Sequence, residues 1–147
     1  MIKLDCNSVL WAFGIKLTFF NLCGDQTTVH SVDASSLPAP LPAGSTFVRG
    51  LKLDILTNGQ IIQDLPDGTG IDMDFPLSNQ LPDHSAVLYW NGSQWVEISQ
   101  HLNKDQISQT LGISAPDELY QLIQNITQVF YETLTTDKTG IFVLVQK

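Results

Sequence analysis

Asp64, Asp67, Asp72 and Asp74 cluster around the turn sequence Pro66-Asp67-Gly68-Thr69-Gly70. Calcium takes about six to eight oxygens from carboxylates and loop carbonyls. An Asp-rich turn could supply some of them, so these four residues are the candidate metal ligands and calcium the candidate ion. A plainer reading competes. Asp67-Gly68 is ordinary turn chemistry, and Asp72 and Asp74 alternate as solvent-facing strand residues do. A carboxylate pair for glycosidic cleavage is conceivable in any acidic chain, and nothing in this one selects a pair.

Other chemistry is sparse. His30, His84 and His101 lie far apart and outside any motif, as ordinary surface or edge histidines would. No Gly-x-Ser-x-Gly elbow, Walker loop or dinucleotide fingerprint occurs. Two cysteines do not make a zinc site. No catalytic site is therefore expected, and a hydrolase relying on Asp or Glu ranks last among the readings. Tyr89, Trp90 and Trp95 flank Asn91-Gly92-Ser93-Gln94. They are the candidate ligand-binding residues, an aromatic platform for sugar rings or a partner surface. Aromatic pairs across a hairpin are also ordinary stabilisers, contributing up to about 1 kcal/mol.

Cys6 and Cys23 are the only cysteines. A turn over Trp11 to Ile15 would pair the flanking segments and bring them opposite one another. A bridge there would contribute ~3 kcal/mol. Two buried free thiols are the other reading.

The elements that must position these residues are mostly strands. Ile15-Lys16-Leu17-Thr18-Phe19 alternates apolar and polar, as a half-buried strand does. Asn58-Gly59 between β-rich runs predicts a hairpin over 47–65, because both turn positions need positive φ. Ile71-Asp72-Met73-Asp74-Phe75 has period two. Residues 86–90 and 95–98 form a second hairpin, and Ile141 to Val145 reads as a fully buried strand tying the end of the chain into a sheet. Ser35 to Gly44, with three alternating prolines, predicts an extended connection on the surface or along a sheet edge. Residues 105–111 read as a short helix, and 114–126 as helix or strand. The expected fold is mainly β: one domain over residues 1–147, an antiparallel β-sandwich of about nine to eleven strands with one or two short helices.

Composition narrows the classes further. The chain has 147 residues, enough for one domain with a real core. Charged residues are 15%, against about 25% in an average protein, so Ser, Thr, Asn and Gln carry the surface, as in extracellular β domains. The net charge is −8, with seven Lys plus Arg. That excludes the basic patches nucleic acids and anionic membranes require. No apolar run is long enough to span a membrane as a helix. Met1 to Cys6 lacks the apolar core of a signal peptide. The favoured expectation is a start placed on a mature chain or excised domain, against a protein that is not exported.

Ile71-Asp72-Met73-Asp74-Phe75-Pro76-Leu77, the Tyr89-Trp90 to Trp95-Val96-Glu97 hairpin and the closing Phe142-Val143-Leu144-Val145 together resemble β-sandwich modules of large bacterial secreted and surface proteins. The layout is similar to the ZU5-type or immunoglobulin-like sandwich, over under a third of the chain. Some ZU5-type domains cleave themselves at His-Phe-Ser before the last strand. Here that stretch is Asp137-Lys138-Thr139-Gly140-Ile141-Phe142, so self-cleavage is not carried over. The resemblance implies a structural or adhesive module of an extracellular or cell-surface polypeptide. Its expected partners are itself or neighbouring domains, through open edge strands building filaments, with Met1 to Val9 the segment most able to pair outside its own domain. Glycans binding at the aromatic hairpin are the other expectation.

Overall fold

The computed structural model describes residues 2–76, 85–98 and 131–147, with backbone alone for 131–133. The chain is mainly β. Its strands are β1 (Ile2–Lys3), β2 (Val9–Ala12), β3 (Ile15–Phe20), β4 (Gln26–Ser31), β5 (Thr46–Thr57), β6 (Gln60–Ile62), β7 (Gly70–Pro76), β8 (Ser85–Trp90), β9 (Trp95–Glu97), β10 (Tyr131–Thr136) and β11 (Gly140–Gln146). A single 3-10 turn, Ala34–Ser36, is the helical element among the described residues. The helical expectations for 105–111 and 114–126 fall outside them.

Two antiparallel sheets form. The larger runs β1-β4-β5-β11-β8-β9, with β6 added to β5, and the smaller runs β10-β7-β3-β2. Alternation explains how they meet. Ile15, Leu17 and Phe19 of β3 and Ile71, Met73 and Phe75 of β7 are fully buried. They share one core with Leu51, Leu53 and Ile55 of β5 and Phe142 and Leu144 of β11. At ~25 cal/mol per Å² of apolar surface removed from water, this layer is the main source of stability. The polar positions between them, Lys16, Thr18, Asp72 and Asp74, face outward from the smaller sheet and pair in register: Lys16 with Asp74 and Thr18 with Asp72.

Asn58-Gly59 makes the expected tight turn, with φ of 53° and 79°, joining Thr57 to Gln60. The N-terminal hairpin is tighter than expected. Trp11 and Ala12 are strand residues, and Phe13-Gly14 alone form the turn, with φ of 54° and 80°. Ala12 pairs with Ile15 and Val9 with Thr18. That register sets Cys6 against Asn21, whose N–H donates to the Cys6 carbonyl at 2.7 Å. A slip of two residues follows, and Leu4 N–H donates to the carbonyl of Asp25. Asn21 takes up the irregularity with φ of 58°. Across this slip the Cys6 and Cys23 Sγ atoms stand 2.06 Å apart, a disulfide, with Cα atoms 4.1 Å apart.

The proline-bearing segment does not follow an edge. It crosses the outer face of the larger sheet, where Leu37 and Leu41 pack against Ala86, Leu88, Val143 and Val145. Both faces of β11 are therefore covered, one by the sandwich core and the other by this strap. Unbroken apolar sequence from Ile141 to Val145 is what such a strand needs.

Candidate functional site

The aromatic hairpin forms in register, Trp90 opposite Trp95 and Tyr89 opposite Val96. The three side chains do not make one platform. Successive residues of a strand point to opposite faces, so Tyr89 turns into the sandwich, packs on Phe142 with ring centroids 4.9 Å apart, and donates its hydroxyl to the Thr139 carbonyl at 2.7 Å. Burial raises its pKa above the ordinary tyrosine value, with smaller effects from Lys138, Asp64 and Asp137. Trp90 and Trp95 lie on the outer face, rings 5.2 Å apart and inclined at 58°. The Trp95 indole N–H reaches the Ala39 carbonyl of the strap at 3.3 Å. A cleft of about 360 Å³ beside it is bounded by Pro42, Leu88, Trp95 and Glu97.

The four aspartates do not assemble. Asp64 is ion-paired with Lys138. Asp67 sits in the turn closed by Thr69 N–H and hydroxyl on the Pro66 carbonyl. Asp72 accepts the Thr135 hydroxyl on the outer face of the smaller sheet. Asp74 lies two residues along the same face, its carboxyl raised by burial against the opposing pull of Lys16 and with a further push from Asp72. Among the described residues no group of three or more His, Cys, Asp or Glu converges as a metal ion requires. The Asp-rich calcium expectation finds no converging ligand set here: Asp64 is drawn to Lys138 and Asp67 stays in its own turn, while Asp72 and Asp74 alone share the outer face of β7. His84 and His101 fall outside the described residues.

The structure shows a different site that the sequence did not single out. Among the described residues the sandwich is open along one side, between β2 at the edge of the smaller sheet and β4 in the larger. A cleft of about 450 Å³ lies there, lined by Ile2, Leu10 to Phe13, and Thr27 to His30. Leu10, Ala12 and Val29 are only partly buried although they pack against the core. Ile2 is 47% exposed, Phe13 53% and Trp11 60%, an apolar concentration of the kind that marks interaction sites. Trp11 also holds Lys16 Nζ at 5.9 Å from its ring centroid.

Among the described residues, main-chain groups on both walls are left without a strand partner. Val32 N–H donates to the Gly50 carbonyl, continuing the β4–β5 register of Ser31 with Leu51. In an antiparallel pair, successive residues aim their main-chain groups to opposite sides. His30 and Thr28 therefore bond β5, while Val29 and Ser31 aim outward. β1 covers only Gln26 and Thr27 of that edge. Phe19 N–H donates to the Ser8 carbonyl, so by the same count Leu10 and Ala12 bond β3, and Val9 and Trp11 aim outward. Strand alternation was visible in the sequence. Which strands became edges was not, because that depends on the order of strands in the sheets.

No family model matches the chain, and no curated protein matches it.

Proposed function

We propose that this protein is a non-catalytic structural and adhesive module of a secreted or cell-surface polypeptide, and that it joins a second copy of itself by strand addition at the open side of the sandwich. The carrying observation is the cleft between β2 and β4, where unpaired main-chain groups border exposed core side chains. An incoming strand there would complete hydrogen bonds and bury Ile2, Leu10 and Phe13 in one step. A second copy suits the lining, whose described residues include no carboxylate that would repel a strand from so acidic a chain. The Cys6–Cys23 bridge supports an oxidising compartment, and the likeness to ZU5-type surface modules supports the same class.

The test is light scattering after size exclusion at rising concentration, with electron micrographs of the same samples. Wild type should form oligomers. Ser31→Pro and Val9→Pro remove only outward N–H groups, sparing the ladders to β5 and β3, and should each give monomer. A monomeric wild type at high concentration overturns the proposal.

A second reading, glycan binding at the Trp90–Trp95 pair, is favoured by the cleft beside Trp95. It predicts a change in Trp fluorescence with oligosaccharide that Trp95→Ala removes.

A further inference from the structure

Among the described residues, Arg49 stands out as the cation with a buried nitrogen left unpaired. Leu51, Leu53 and Ile55 of β5 face the core, and period two puts Arg49 on that inward row. Its Nε is fully buried and has no hydrogen-bond partner. One guanidinium nitrogen lies so close to the Phe13-Gly14 turn that a Cβ on Gly14 would stand 2.9 Å from Nη1. Phe13 lines the cleft, and Gly50, next to Arg49, receives the N–H of Val32 just beyond β4. Arg49 does not line the cleft itself; its guanidinium lies behind the Phe13-Gly14 turn, beside the hairpin-tip end of the open side.

A buried donor left unpaired is costly, and a buried charge more so. The chain carries fifteen Asp and Glu against seven Lys and Arg, yet among the described residues this arginine, unlike Lys138 and Lys147, is paired with no carboxylate. A planar guanidinium in a partly dry site is suited to a carboxylate, which can accept two parallel N–H bonds. We propose that Arg49 receives a carboxylate of the segment that enters the cleft, so that a strand bearing an acidic side chain at the hairpin-tip end is selected over a neutral one. This rests on the strand-addition reading above. The apolar walls and free main-chain groups supply affinity, and Arg49 supplies polarity, distinguishing one end of the incoming strand from the other.

The experiment uses seven-residue peptides of alternating valine and threonine. Each carries Glu near one end or the other and is compared with its Gln counterpart. Binding is followed by the fluorescence of Trp11, with Trp90→Phe and Trp95→Phe introduced to silence the other indoles. One Glu peptide should bind about tenfold more tightly than its Gln partner, and the reversed placement should lose that advantage. In Arg49→Gln the preference should vanish. Arg49→Lys, retaining charge without the planar fork, should keep only part of it. The Glu-to-Gln ratio on the Arg49-bearing protein is decisive even if the variants fold poorly. Equal binding of the Glu and Gln peptides overturns the role of Arg49 and leaves strand addition standing. Binding of neither overturns both.

Discussion

Replacing both cysteines, Cys6→Ser with Cys23→Ser, removes a covalent tie across the register slip between β1 and the β2–β3 hairpin. The bridged residues are 17 apart in sequence. For a loop of that length, the chain-entropy relation gives ~10 cal/mol/K of unfolded-state entropy removed by the bridge, or ~3 kcal/mol at 25 °C. A chain of 147 residues unfolds with an entropy of ~0.3 kcal/mol/K, so the midpoint should fall by about 10 °C. Loss should be largest at the first two strands, whose ladder is irregular just where the bridge lies. Scanning calorimetry of wild type and double variant, each with and without reductant, measures it. Reductant should lower wild type to the variant's midpoint and leave the variant unmoved. A shift under about 2 °C would refute the assignment of this stability to loop closure. So would an equal effect of reductant on both proteins. Hydrogen exchange adds a spatial test: Leu10 and Ala12 amides, which bond β3, should lose protection before those of Phe142 and Leu144.

Three further outcomes are expected. Tyr89→Phe leaves the Thr139 carbonyl without its donor and should cost about 1 kcal/mol in denaturant unfolding; because burial raises the phenol's pKa, its contribution in wild type should persist at neutral pH and fall as pH rises through the folded-state value, above about 10. Leu41→Ala should uncover the outer face of β11 and β8, lowering stability by about 1–2 kcal/mol, less than a fully buried leucine, and raising binding of an apolar dye. Asp74→Asn should be neutral to stabilising at pH 7, by at most ~0.5 kcal/mol since the half-buried group is still screened by solvent; burial raises this carboxyl, so wild type gains from its protonation as pH falls, and the difference between the two proteins should shrink in acid.

Local signals predicted local structure well where they were self-sufficient. Asn58-Gly59 requires only that two adjacent residues adopt positive φ, and it turns as expected. Ile71-Asp72-Met73-Asp74-Phe75 requires only one buried face, and its three apolar residues are fully buried. Inference failed where a partner remote in sequence decided the outcome. The four aspartates sit close together in the chain, yet Asp64 is claimed by Lys138 and Asp72 by Thr135. The prolines of the strap imply an extended path, but not that Leu37 and Leu41 would cover a sheet formed by residues 85–97 and 140–146. In the N-terminal hairpin the two-residue Phe13-Gly14 turn set the register, where the sequence suggested a turn over Trp11 to Ile15.

The sequence by itself determined that the chain is an antiparallel β protein, acidic and polar-surfaced, with its tight turns and core-facing positions readable from alternation and turn chemistry. These properties depend on neighbours within a few residues. Only the tertiary structure decided which strands stand at the edges, that among the described residues the sandwich lies open between β2 and β4, and that Arg49 faces inward beside that opening with its Nε unpaired. Edges and clefts are properties of strand order, and strand order is set by the joint burial of residues from both ends of the chain, which no single segment encodes.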